Sequence, residues 1–141
     1  MNTISRWALR AFVGAHRLLY ELTDGRIGGR LGAQRILLLT TTGRKSGAQR
    51  TVPLVFFEDG ERLVLVASNG GAARDPFWWQ NLQTRPEALV QLDGEKRRMR
   101  ARLASVEERA RLWPRVKREN LSYAEYETRT SREIPVVLLQ A

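Results

Sequence analysis

The stretch Leu37-Leu38-Leu39-Thr40-Thr41-Thr42-Gly43-Arg44-Lys45-Ser46-Gly47-Ala48-Gln49-Arg50-Thr51-Val52-Pro53-Leu54 constrains this chain more than any other. An apolar strand runs into a turn of glycines, hydroxyls and cations, and a second apolar strand follows at once. That order commits the region to an antiparallel ladder. The turn presents backbone N–H groups, hydroxyls and guanidinium forks to one small anion. Arg44, Lys45, Ser46 and Arg50 are therefore candidates for holding a phosphate. An exposed basic hairpin loop is the other reading of the same residues.

The pattern elsewhere is consistent with a strand-rich domain. Residues 35–42 and 49–58 are the two strands already named, and Asp59-Gly60 signals a hairpin into a partner strand over 61–68. Asp75 as N-cap and Pro76 at the first helical position open a short helix carrying Phe77, Trp78, Trp79 and Leu82. Adjacent helical positions diverge by about 100°, so one tryptophan is expected in the core and the other on a pocket wall. Strands over 88–92 and 95–104 flank a second hairpin turn at Asp93-Gly94. In the second of these, Met99, Ala101 and Leu103 are expected to face inward, opposite Arg98, Arg100 and Arg102. Ser105-Val106-Glu107-Glu108 is a capping box, so a helix is expected to follow to about Arg118, with Pro114 kinking or ending it near Trp113. Ser122-Tyr123-Ala124-Glu125 reads as a second box, starting a helix with Tyr123 and Tyr126 on one face. A last strand covers 134–139. Six strands with tight hairpins favour an α+β fold in which a closed or split antiparallel barrel removes the edges.

Ahead of this barrel domain (25–141) stands a segment (1–24) that reads as an amphipathic helix over residues 4–22. Ile4, Ala8, Ala11, Phe12, Ala15, Leu18, Leu19 and Leu22 share one face; Arg6, Arg10 and Arg17 share the other, with Trp7 and Tyr20 at the flanks. Such a helix either lies on an anionic membrane surface or packs on its own domain. A glycine-rich connection follows over 23–34. The chain has no cysteine and a single histidine, His16, which excludes thiolate catalysis and Cys- or His-based metal sites. The net charge of +9 attracts polyanions without choosing among them. No stretch is long and apolar enough to span a bilayer, and no signal peptide is evident. A cytoplasmic location, with peripheral attachment to the inner face of the membrane as an option, is expected. Without a usable nucleophile, a bound organic cofactor has to carry any chemistry. Flat aromatic side chains and the phenols of Tyr123 and Tyr126 would then complete the site.

Together, several ordered motifs resemble the deazaflavin (coenzyme F420)-dependent nitroreductase family. They are Thr-Thr-Thr-Gly-Arg-Lys-Ser-Gly (40–47), Arg50 with Pro53-Leu54, Ser-Asn-Gly-Gly-Ala (68–72), Pro-Phe-Trp-Trp-Gln-Asn-Leu (76–82), Glu107-Glu108-Arg109-Ala110 to Trp113-Pro114, Tyr-Ala-Glu-Tyr (123–126) and Arg-Glu-Ile-Pro-Val-Val (132–137). The resemblance implies a split β-barrel and a hydride transfer from reduced coenzyme F420 to a small-molecule acceptor such as a quinone or a nitroaromatic compound. It implies cofactor contacts at Arg44, Lys45 and Ser46, at Arg50, Thr51, Val52, Pro53, Leu54 and Val55, and at Val66, Ala67, Ser68 and Asn69. Further contacts fall at Phe77, Trp78, Trp79, Gln80 and Asn81, and at Tyr123. Tyr123 or Tyr126 would orient the acceptor or donate its proton. Two positions depart from the pattern: Asn69 stands where relatives often carry lysine, and Asn120 where some carry a third tyrosine. An FMN-binding reductase of the same fold, a carrier without turnover and a weak, sequence-blind nucleic-acid module are the rival readings. The oligomeric state is left open.

Overall fold

A computed structural model of the chain describes residues 30–31 and 34–141. The helix expected over residues 4–22, most of the glycine-rich connection and the division into 1–24 and 25–141 lie outside those residues.

Seven antiparallel strands form one sheet: β1 (Arg30–Leu31), β2 (Gln34–Thr42), β3 (Gln49–Asp59), β4 (Arg62–Val66), β5 (Glu87–Leu92), β6 (Glu95–Leu103) and β7 (Val136–Gln140). Their order is β1-β2-β3-β4-β7-β6-β5, and β2 also pairs with β5 through Leu38↔Gln91, Leu39↔Val90 and Thr40↔Leu89. That last pairing closes β2 to β7 into the expected barrel, with the two-residue β1 added at one edge. Among the described residues three helices accompany it: α1 (Phe77–Thr84), α2 (Val106–Glu119) and α3 (Ser122–Thr128), with a short 3-10 turn at Asn69–Gly71.

The barrel is split along β3. Only Phe57, Glu58 and Asp59 of β3 pair with β4, so its half from Gln49 to Val55 has β2 as its one partner among the described residues. Pro53 is tolerated there because its missing N–H breaks no second ladder. Strand alternation then builds two cores. Leu37, Leu39, Phe56, Leu65, Val90, Met99 and Leu139 fill the barrel together with Trp78, Trp79 and Leu82 of α1. On the outer face, Phe57, Val64, Val66, Val136 and Leu138 pack under Leu112, Trp113 and Val116 of α2 and Tyr123 of α3.

Several local expectations are corrected. Pro76, not Asp75, is the N-cap of α1, and its carbonyl accepts from the N–H groups of Trp79 (3.1 Å) and Gln80 (3.2 Å). Asp75 is drawn away into an ion pair with Arg132. Of the two tryptophans Trp78 does line a cavity and Trp79 does not, but both are equally buried, because Trp78, Trp79, Asn81 and Leu82 cover an arc of about 160° on a helix that plugs the barrel. Helix α2 reaches Glu119, within a residue of the extent expected from its capping box, and Pro114 does not end it. The carbonyl that Pro114 leaves unbonded is that of the exposed Ala110, and the buried stripe Leu112, Trp113 and Val116 holds the helix beyond it. The Ser105–Glu108 capping box forms, but the second does not: Leu121 is the N-cap of α3, and Asn120 Oδ1 accepts from the Ser122 N–H at 3.0 Å. Leu103 is exposed, since it lies at the rim where β6 leaves the barrel.

A charge network ties α2 to the β3–β4 hairpin. Glu108 accepts from Arg62 (2.5 Å) and from both terminal nitrogens of Arg102 (2.7 and 2.9 Å), and Asp59 accepts from Arg62 (2.6 Å) and Arg111 (2.9 and 3.0 Å). The Arg111 guanidinium, aided by Arg62, holds the Asp59 carboxyl down at about 2, and Arg102 with the cap of α2 holds Glu108 far below the usual carboxylate range.

Candidate active site

The turn between β2 and β3 folds back on itself. The Gly43 N–H donates to Ala48 O at 2.7 Å, the Gly47 N–H to Gly43 O at 2.8 Å, and the Ala48 N–H to Ser46 Oγ at 3.1 Å. A Cβ on Gly43 would meet Ser46 Oγ at 2.9 Å and Ala48 O at 3.2 Å, so a larger residue there would displace the Ser46 hydroxyl and press on the Ala48 carbonyl. The Arg44 N–H donates to Asn81 Oδ1 at 3.1 Å, and Asn81 Nδ2 donates to Thr41 Oγ1 at 3.0 Å. Asn81 is 5% exposed and Thr41 2%. One buried amide therefore joins α1 to both ends of the β2–turn junction. Two N–H groups of the turn, those of Lys45 and Ser46, keep no acceptor among the described residues.

Between the turn and α1 lies a cavity of about 450 Å³. Eight of the expected residues line it: Arg44, Lys45, Ser46, Arg50, Val52, Phe77, Trp78 and Asn81. Thr41 and Gly43, which sequence reasoning missed, also line it. Thr41 could have been found, because it continues the inward face of Leu37 and Leu39. No carboxylate lines the cavity. The side chains of Arg44, Lys45 and Arg50 have no hydrogen-bond or ion-pair partner among the described residues. Elsewhere such partners are common: in the arginine row on β6, Arg100 pairs with Glu87 at 2.8 Å and Arg102 with Glu108, which leaves Arg98 free.

The remaining expected residues are distributed by strand parity and by the split. Thr51, Pro53 and Val55 alternate away from the cavity, and Thr51 Oγ1 shares a hydrogen bond of 2.8 Å with Thr40 Oγ1. Leu54, Ala67 and Trp79 pack in or against the barrel core, and Val66 in the outer one. Gln80 Nε2 donates to Asp75 O at 2.8 Å. Asn69 takes a left-handed conformation (φ 49°) and its Nδ2 donates to Arg74 O at 3.0 Å.

Tyr123 and Tyr126 do not line the cavity. Tyr123 packs edge-on to Phe57 and to Tyr126, each at 6.0 Å between ring centroids. It is 7% exposed, yet its hydroxyl has no partner among the described residues. Burial, reinforced by neighbouring Tyr126, pushes its phenol up to about 12, so it keeps its proton at neutral pH. Ser68, 8% exposed, likewise has an unpartnered hydroxyl. It immediately precedes the Asn69–Gly71 turn, against which the Tyr126 backbone rests. Among the described residues no cluster of His, Asp or Glu could hold a metal ion, and no helix is long and apolar enough to cross a membrane.

A family model described as F420H(2)-dependent quinone reductase matches residues 13–141. An F420H(2)-dependent quinone reductase of Mycobacterium tuberculosis is 40% identical over 145 residues, covering 96% of this chain and 97% of that one. A solved structure of an F420-H2 dependent reductase (FDR-A) superposes with a TM-score of 0.67 at 39% identity, covering 74% of this chain and 93% of that one. The heme storage protein HutZ from Vibrio cholerae, at 10% identity and a TM-score of 0.54 over 77% of this chain and 82% of that one, shares the fold alone.

Proposed function

The chain belongs to the F420H(2)-dependent quinone reductase family, and we propose that the cavity between the Gly43–Ala48 turn and α1 is where it holds the reduced deazaflavin. That family is a narrower description than the nitroreductases whose motifs the sequence resembles. One observation carries the assignment: three cations without partners line a cavity that holds no carboxylate. Unpaired cations at one site repel one another, and an anionic ligand relieves that repulsion. Arg44, Lys45 and Arg50, with the free N–H groups of Lys45 and Ser46, fit the phosphate and acidic tail of such a cofactor. Trp78 and Val52 supply an apolar wall suited to a flat ring.

When bound, the reduced deazaflavin supplies a hydride. A quinone that accepts a hydride also takes up one proton to become the hydroquinone, and the protein has to hold or deliver that proton. Ser68, Tyr123 and Tyr126 are the hydroxyls that suit this task. The unpartnered hydroxyls of Ser68 and Tyr123 support the reading, since a buried O–H without an acceptor is costly unless a ligand satisfies it. Tyr126 is the more open of the two phenols and the better placed to meet an acceptor from solvent. The protein's contribution is proximity and fixed dipoles rather than covalent chemistry.

The rival is FMN on the same fold. FMN brings a single phosphate, whereas F420 adds an acidic tail that makes use of a third cation. Side-by-side fluorescence titrations with oxidised F420 and FMN test the reading; tighter F420 binding is expected, and equal or tighter FMN binding refutes it. Nitroaromatic acceptors are an extension of the quinone reaction, checked by the same assay with the acceptor exchanged.

A further inference from the structure

We infer that Arg132 is a positioning residue for this reaction, holding the segment from Ala67 to Asp75 between the cation-lined cavity and the tyrosine-bearing helix α3. The inference rests on the functional reading above. Arg132 lies just before β7, and its side chain is 17% exposed. Its guanidinium reaches four acceptors: Nε donates to Ala72 O at 3.0 Å, Nη1 to Asp75 Oδ1 at 2.9 Å, and Nη2 to Ser68 O at 2.8 Å and Ala67 O at 3.2 Å. Three of these are main-chain carbonyls of a stretch that leaves the β-ladder after Val66.

That stretch needs outside support. Asn69, Gly70 and Gly71 are three consecutive residues in the left-handed region, at φ 49°, 64° and 83°. Their own main-chain bonds are two turn contacts, the Gly71 N–H to Ser68 O (2.9 Å) and the Ala72 N–H to Asn69 O (3.1 Å), beside the Asn69 side-chain bond to Arg74 O. Gly71 is pressed against α3 so closely that a Cβ would lie 2.9 Å from Tyr126 O and 3.0 Å from Arg129 Cβ. At its other end the stretch runs into Pro76 and α1, whose Asn81 holds the Arg44 N–H of the anion cradle. Contacts and short stretches of main chain therefore link Tyr126 to Gly71, Gly71 through Ala72 to Arg132 and Asp75, and Asp75 through Gln80 of α1 to Asn81 and Arg44. Within the segment only the Asn69 amide, donating to Arg74 O, joins its two halves; among the described residues Arg132 is the one side chain from outside the segment that bonds to both. A planar guanidinium with fixed donor directions satisfies four acceptors in one arrangement only, whereas an ammonium group imposes no such geometry. The relative placement of the hydroxyls and the cradle is thus set by a residue that lines neither.

The experiment compares the wild-type protein with Arg132→Lys, Asp75→Asn and, as a remote control, Arg111→Lys. Oxidised F420 affinity is read by fluorescence, and kcat and KM with reduced F420 and a simple naphthoquinone; the thermal midpoint is followed in parallel. Arg132→Lys should raise the F420 dissociation constant about fivefold or more and lower kcat about tenfold, and it should speed hydrogen exchange at Gly71 and Ala72. Asp75→Asn keeps an acceptor but loses its charge, and should move both constants in the same direction by less. Arg111→Lys, which touches only the Asp59 network, should leave both within twofold. If Arg132→Lys alters the midpoint and exchange but leaves affinity and kcat within twofold, Arg132 is only a structural staple and the inference falls. Should Arg132→Lys fail to fold, unchanged affinity and kcat in Asp75→Asn refute it equally. A wild-type protein that does not bind F420 refutes the functional reading itself, and the role of Arg132 with it.

Discussion

Replacing Asn81 by aspartate tests the anion cradle more sharply than removing a cation does. Asn81 is buried and makes two bonds, accepting from the Arg44 N–H and donating to Thr41 Oγ1. An alanine there removes both and leaves the Thr41 hydroxyl buried without a partner. At about 0.5–1.5 kcal/mol for each of the two net hydrogen bonds, plus about 1–3 kcal/mol for the stranded group, the expected loss of stability is about 2–6 kcal/mol. Only the Arg44 bond bears on the turn, so F420 affinity should fall by no more than about tenfold, the equivalent of about 1.4 kcal/mol. Aspartate is different. Its carboxylate still accepts the Arg44 N–H, and the Thr41 hydroxyl can rotate to donate, so the turn keeps its shape. A negative charge now stands beside the site, and two charges about 6 Å apart interact by about 3 kcal/mol at an effective dielectric near 20. Asn81→Asp should therefore weaken F420 binding about 100-fold while preserving the bonding that Asn81→Ala destroys. Fluorescence titration at fixed ionic strength, with thermal unfolding alongside, measures both quantities. Binding by Asn81→Asp equal to or tighter than that by Asn81→Ala would show that no anion sits in this cavity.

Lys45→Ala and Arg50→Ala should each weaken F420 binding by about 1–3 kcal/mol, the range for a charge-assisted bond, with unchanged unfolding midpoints because both side chains are exposed and unpaired. In acid, Asp59 and Glu108 are held below their unfolded values, so the stability they confer is present above about pH 4.5 and lost as pH falls toward 2. Denaturant unfolding between pH 7 and 2.5 should show that loss, and Asp59→Asn should flatten it. Tyr123 is shifted the other way: its stabilising contribution is complete below about pH 10 and lost as pH rises toward 12. Tyr123→Phe should remove this alkaline limb without cost at neutral pH, since the hydroxyl has no protein partner, and should slow quinone reduction if that hydroxyl serves the acceptor.

The parts of the fold legible in the sequence are those governed by neighbours along the chain. Strand alternation, the two hairpins and the Ser105–Glu108 box depend on residues within a few positions of one another, and the structure reproduces them within a residue or two. Where a distant partner decides, local signals mislead. Asp75 has the composition of an N-cap, but Arg132, 57 positions away, takes its carboxylate. Ser122 has the spacing of a capping box, but Asn120 supplies the acceptor instead. Pro114 reads as a stop until the outer core that Leu112, Trp113 and Val116 enter is known. The candidate site divides in the same way. Arg44, Lys45, Ser46 and Arg50 are visible because one turn carries them, whereas the Asn81–Arg44 bond spans 37 positions and the Arg132 fork ends mainly on carbonyls that every residue possesses.

The charge of the chain gains meaning only through that long-range bonding. A formal +9 describes a diffuse field able to collect any polyanion. In the folded protein, Arg35, Arg62, Arg100, Arg102, Arg109, Arg111, Arg115, Arg129 and Arg132 all meet carboxylates, and their charge is largely local. Arg74, Arg85, Lys96, Arg98 and Arg118 lack ion-pair partners among the described residues but do not line the cavity. Arg44, Lys45 and Arg50 converge unpaired on one apolar-walled hollow beside two free N–H groups. A field focused in this way favours a compact ligand with several negative charges joined to a flat ring over an extended polymer. It also predicts how salt acts: raising ionic strength should weaken F420 binding through these three charges, and in Arg50→Ala the slope of log affinity against log salt should be smaller by the share of the one charge removed. A slope unaffected by Arg50→Ala would mean that the net charge, rather than the cradle, draws the cofactor in.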